Sequence, residues 1–221
     1  MPAIPIYLES GAKRVFAAAV DWPGWARTGK TEVDAIAALA AYAPRFARVV
    51  RGVVPQFAQP TGAADLKVVR RLKGGSGTDF GVPSNELPSD KERVDETELT
   101  RLTQILEACW AAFDRAAESA TGHELRKGPR GGGRDLDKIV AHVNEADAAY
   151  ISQLGSRAPK NAGARVLRAA MLGALRARVR GEEIADPTRV KKKWAPRYFA
   201  RRVAWHVLDH AWEIEDRAIF D

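Results

Sequence analysis

The chain has 221 residues, 46% of them apolar and 29% charged, with a formal net charge of +7. That length supports one large domain or two small ones, each able to bury a core. It holds no apolar run of about 18 residues, the length a membrane-spanning helix needs, and its one cysteine excludes an intrachain disulfide.

The opening stretch, MPAIPIYLESGAKR, lacks the charged start and apolar run of a signal peptide. A cytoplasmic location is the expectation. Residues 1–90 carry 11 basic and 8 acidic side chains, and the remainder 24 and 20. The excess is spread rather than gathered on one segment, so nucleic acid is not an expected partner.

Residues 4–22 read as two strands, IPIYLES and RVFAAAVDW, parted by Gly11. Trp22–Trp25 (WPGW) reads as a turn. Residues 31–50 read as a helix with Thr31 at its N-cap and Asp34 completing a weak capping box, although Pro44 complicates the later turns. DLKVVRRL is a further strand candidate, and KGGSGTDFGVPSNELPSD a loop.

Beyond about residue 91 the pattern is helical. Leu99, Leu102, Leu106, Cys109 and Phe113 step by three and four along a first helix, which places Cys109 on a buried stripe. A second, from about Asp135 to Gly155, carries Leu136, Ile139, Val143, Ala146 and Tyr150. A third, from about Gly163 to Arg180, carries Leu167, Met171, Ala174 and Leu175 and stops at Gly181. Pro196 suits the first turn of a fourth, ending near Ile219. The expected fold class is α+β: a small α/β domain with linker over 1–90, then a four-helix bundle over 91–221.

Residues 24–31, GWARTGKT, match the G-x-x-x-x-G-K-[ST] pattern of a phosphate-binding loop. A nucleotide site also needs several covered parallel strands and a second strand ending in Asp for Mg²⁺. This half is too short for them, and Trp25 is bulky for a loop that wraps phosphates. A turn followed by a helix cap is the plainer reading. The wider segment VFAAAVDWPGWARTGKTEVDAIAAL resembles the HicB-like domain, in which a strand, an Asp-x-Pro-Gly turn, a Gly-Lys-Thr step and a helix build a ββα unit on a small sheet. The antitoxin role of HicB proteins is not implied, because no DNA-binding tail follows.

His206 and His210 stand four apart on the last helix, hence on one face with Cβ atoms about 5–6 Å apart. Such a pair can share a metal ion or can simply pack as two half-buried rings. His142, among Ile139, Val143 and Ala146, is a third candidate; His123, in a turn beside Gly122, is not.

KIVAHVNEADAAYISQLG together with YFARRVAWHVLDHAWEIEDR resembles the DinB / YfiT-like superfamily of four-helix bundles, with a histidine on the second helix and H-x-x-x-H on the fourth. The resemblance covers about residues 91–221. It implies that His142, His206 and His210 bind a divalent metal ion, zinc or nickel first. Relatives in that superfamily transfer low-molecular-weight thiols such as mycothiol or bacillithiol, and one branch isomerises with mycothiol. A small thiol and an electrophile are thus the implied substrates.

Three neutral imidazoles leave an ion's charge uncompensated and a coordination position open, which acidifies a water or thiol held there. Glu213, which shares the face of His206 and His210, and Glu145, three residues after His142, are candidates for orienting a ring or acting as base; the plainer reading of each is an acidic residue on an exposed helix edge. Asp209 points about 100° away, towards a salt bridge with Arg202 or Arg201. The basic segment Leu125–Asp135 lies near the expected mouth and can hold an anion or serve only as a connection. Lys191–Lys193 with Arg189 and Arg197 is the densest basic patch and reads as a solvated loop.

Three functions remain open on sequence: a metal-dependent thiol transferase or related hydrolase or isomerase; a metal-stabilised regulatory protein whose HicB-like half engages a protein or RNA; and a nucleotide binder through Gly24–Thr31. A homodimer is compatible with each.

Overall fold

The computed structural model describes residues 3–53, 55–127, 133–184, 186–188 and 190–220. It is mixed α+β, a four-stranded sheet followed by helices. The chain divides into two compact units, Met1–Leu87 and Pro88–Asp221.

In the first unit, strands β1 (Ile4–Ser10), β2 (Val15–Ala19), β3 (Ala26–Gly29) and β4 (Leu66–Lys73) lie in the order β3-β2-β1-β4. The β1/β2 and β2/β3 pairs are antiparallel, while β4 joins β1 in parallel after a crossover. β3 is a correction to the sequence reading. Its residues ARTG carry little strand signal of their own, and pairing of Val15 with Gly29 and Ala18 with Ala26 holds them extended. This strand runs through the phosphate-loop match, so the segment is sheet and not a cradle for phosphates.

The helix expected over 31–50 is two, α1 (Glu32–Ala41) and α2 (Ala43–Val49). Pro44 cannot donate to the ladder of a preceding turn and stands in the first turn of α2 instead. Thr31 caps α1 with a reciprocal box: Asp34 N–H donates to Thr31 Oγ1 at 3.1 Å and Thr31 N–H to Asp34 Oδ2 at 3.2 Å.

Trp25 is fully buried, stacks on Phe46 with ring centroids 5.8 Å apart and meets Phe57 edge-on at 5.1 Å. Its indole N–H donates to Leu39 O at 2.9 Å, satisfying a carbonyl near the end of α1. The expected loop after β4 contains a short helix α3 (Ser76–Phe80). A buried carboxylate fastens it: Glu9 accepts from Thr78 Oγ1 at 2.5 Å, Ser84 N–H at 3.1 Å and Asn85 N–H at 3.0 Å. Buried charge is tolerated when its lone pairs are filled in this way.

The second unit is a bundle of four long helices, α4 (Glu96–Ser119), α5 (Leu136–Gln153), α6 (Ala164–Arg180) and α7 (Pro196–Arg217). Asp95 and Asp135 cap α4 and α5, and Gly181 ends α6 in the left-handed conformation. α7 packs against all three others. It is buried nearly all round, through Phe199, Val203, Ala204, Val207, Leu208, Ala211 and Ile214, as expected of a central helix. Cys109 is buried in α4, and burial raises its thiol pKa.

A short 3-10 turn, Pro88–Lys91, belongs to this unit because Arg201 on α7 takes Asp90 in a buried bidentate pair. Arg201 is therefore committed to a carboxylate 111 residues away in sequence. Arg197 binds Glu98 through two 2.6 Å contacts and the carbonyls of Ser89 and Glu92 at 2.8 and 2.7 Å. It is thus removed from the basic patch of residues 191–193, whose fourth member, Arg189, lies outside the described residues.

Asp147 is buried between α5 and Trp110 of α4, whose indole N–H donates to Oδ2 at 3.0 Å; Oδ1 has no partner among the described residues. Burial pushes its carboxyl up to about 7, against the opposing pull of Arg168 and the Trp110 bond. Unfolded, it ionises near 3.8. Its contribution to stability is thus fully present below that value and is lost as pH rises through 7. Asp147→Asn keeps an acceptor for Trp110. In urea melts followed by circular dichroism, it is expected to abolish a loss on the order of a few kcal/mol between about pH 4 and 8. Identical pH slopes for both proteins would show that Asp147 is ionised throughout.

Candidate metal centre

α5 and α7 each expose a histidine face to the other. On α7 the stripe His206, His210, Glu213 and Arg217 steps by four, three and four, so all four side chains lie along one side of the helix. On α5, His142 sits one residue before fully buried Val143. Contact between α5 and α7 then brings three rings together.

One ligand nitrogen from each of His142, His206 and His210 lies within 4.8 Å of the others. The Nε2 atoms of His142 and His206 are 3.2 Å apart. Ring centroids are 5.0 Å apart for His142 with either partner and 4.7 Å for His206 with His210. Two nitrogens bound tetrahedrally at about 2.0–2.1 Å from one ion stand roughly 3.3 Å apart, so the closest pair is already at ligand spacing.

Glu213 fixes which nitrogen His210 presents. Its Oε2 accepts from His210 Nδ1 at 2.8 Å, leaving Nε2 to face the other rings, while its Oε1 takes Arg217 at 2.6 Å. The His210 bond, aided by Arg217, holds the Glu213 carboxyl below its ordinary range despite burial. Glu145 is placed differently. It is exposed on α5, makes no hydrogen bond to a ring among the described residues, and reaches His142 only through its field.

His206 is the deepest ring, 7% exposed, and its Nδ1 is buried without a partner among the described residues. Burial, reinforced by His210 and His142, pushes its pKa down to about 2; burial and His210 also lower His142. His206 and His142 are thus held neutral, the form that ligates a metal. Tyr150 meets His206 edge-on at 5.7 Å and leans on Trp194 at 5.4 Å, forming an aromatic wall. The Arg202 guanidinium lies 4.9 Å from the Trp205 ring centre and 5.5 Å from that of Tyr150. Burial raises the Tyr150 phenol pKa.

His123 is exposed and packs on Phe220 at 5.0 Å, apart from the three rings. Of the Leu125–Asp135 segment, residues 128–132 lie outside those described. Its ends are tied to α7, by Arg126 N–H to Arg217 O at 2.8 Å and by Arg217 to Arg126 O and Arg134 O at 2.7 and 2.9 Å. Arg217 was not among the sequence candidates, although its spacing of four from Glu213 was there to be read.

The donor set suits a borderline divalent ion: three imidazole nitrogens, one ring oriented by a carboxylate. No other group of three metal-ligating side chains occurs among the described residues. Compared with protein families, curated proteins and solved structures, the chain finds no match. No helix among the described residues is long and apolar enough to cross a membrane.

Folded His206 resists protonation to about 2, whereas the unfolded imidazole titrates near 6.5. Stability is therefore full above 6.5 and is lost as pH falls towards 2. In chelator-treated protein, His206→Gln is expected to flatten the loss of urea stability between about pH 6.5 and 4. An unchanged acid slope would show that another group carries it.

Proposed function

We propose that the second unit is a DinB / YfiT-like metal domain that binds one divalent ion, zinc or nickel, through His142, His206 and His210, and activates a low-molecular-weight thiol for transfer to an electrophile. The observation that carries this reading is the convergence of three imidazole nitrogens from α5 and α7 within 4.8 Å. A divalent ion held by neutral ligands lowers the pKa of a thiol or water bound beside it and so supplies a nucleophile near neutral pH.

The chain's own residues do the rest. Glu213 keeps the His210 ring in one orientation and its proton on Nδ1. Tyr150 and Trp194 shield one side of the rings. Arg202 adds positive charge close enough to act on His206, which favours an anionic thiol or acid. Glu145, exposed, has no place in this scheme. The first unit, read as a HicB-like ββα fold, is assigned no chemistry; in the alternative regulatory reading it would engage a protein or RNA while the metal only stabilises the bundle.

Protein purified without an affinity tag is expected to carry about one zinc or nickel ion per chain, and His142→Ala to lose it. Wild-type protein should then consume a mycothiol- or bacillithiol-type thiol against a panel of electrophiles, and His142→Ala should not. Metal at trace level only, with no rise in melting temperature on adding zinc or nickel, would overturn the reading. Stoichiometric metal without turnover would favour the regulatory alternative.

A further inference from the structure

Arg217 is more than a cation at a helix end. A basic residue in the last turn is favoured by the helix dipole alone, and a surface position would serve that purpose. Arg217 is instead 7% exposed and spends its guanidinium on three acceptors. NH1 donates to Glu213 Oε1 at 2.6 Å, Nε to Arg126 O at 2.7 Å and NH2 to Arg134 O at 2.9 Å. Its own carbonyl accepts from Arg126 N–H at 2.8 Å.

Glu213 is gripped from both sides. One carboxylate oxygen holds Arg217 and the other holds His210 at 2.8 Å. Rotating the carboxylate to release one breaks the other. Gly133 is shaped for this arrangement: its φ is +61°, and a Cβ there would lie 2.6 Å from the NH2 of Arg217. A side chain at that position would force the NH2 end of the guanidinium away from its place on Arg134 O.

We infer that Arg217 is a positioning residue of the metal centre, acting through Glu213 to hold His210 in its ligating orientation and anchored for that purpose by the carbonyls of Arg126 and Arg134. The inference rests on the metal reading above. Outer groups that orient a ligating histidine change metal affinity about 10- to 100-fold when removed. Because Arg217 acts through Glu213, loss of either should have nearly the same effect, and loss of both should add little.

The test is titration of the chelator-treated full chain with zinc, in competition with a chromophoric chelator. Arg217→Ala and Glu213→Gln are each expected to weaken zinc binding about 10-fold, and the double variant no more than the weaker single. Arg217→Lys, which keeps charge but not the fork, should recover only part of the loss. Gly133→Ala, which leaves every ligand in place, should weaken zinc binding with an unchanged circular dichroism spectrum, and it stands in if Arg217→Ala does not fold. Wild-type affinity in Arg217→Ala or in Gly133→Ala, or losses that multiply in the double variant, would overturn the inference while leaving the centre intact. A wild type that binds no zinc would overturn both.

Discussion

One ring nitrogen from each of three histidines lies within 4.8 Å of the others, a crowding that the rest of the helical unit is built to hold. A proton on His206 would sit against the two other rings, and burial already drives its pKa down to about 2. The closest pair, the Nε2 atoms of His142 and His206, stands 3.2 Å apart. An ion placed there would turn mutual crowding into shared coordination, and the proposed metal reading rests on that.

The architecture serves that convergence. α7 is buried on most of its circumference and lies against α4, α5 and α6, so its histidine stripe has little freedom to turn. The stripe carries two candidate ligands, the carboxylate bonded to one of them, and the guanidinium that grips the carboxylate. Two further arginines near the start of α7, Arg197 and Arg201, are spent on Glu98 and Asp90. They fasten the opening segment of this unit to its central helix. Neither is available to a ligand, although in sequence Arg197 reads as part of a basic patch and Arg201 as a partner for Asp209.

Much of the site could be read before the fold was known, because helical spacing is local. His206, His210 and Glu213 share a face by periodicity alone, and so does Arg217, which sequence analysis passed over. The meeting of His142 with that face is a tertiary event between residues 64 apart; its place beside the apolar stripe of α5 made it a candidate, and family resemblance strengthened the expectation. Glu145 and Glu213 looked equivalent, each three residues after a histidine. They differ because one stands on the exposed side of α5 and the other beneath the loop ends held by Arg217. In the first unit, β3 escaped because ARTG has no apolar alternation, and its extended form comes from β2. The Glu9 clamp escaped because its partners lie 69 to 76 residues away. The split of one expected helix at Pro44, by contrast, follows from the chemistry of proline.

The most direct measurement is X-ray absorption at the metal edge of zinc- or nickel-loaded protein. The account predicts about three imidazole nitrogens at roughly 2.0–2.1 Å from the ion, falling to two in His206→Ala. An ion surrounded by oxygen alone, with a spectrum indifferent to that substitution, would contradict it.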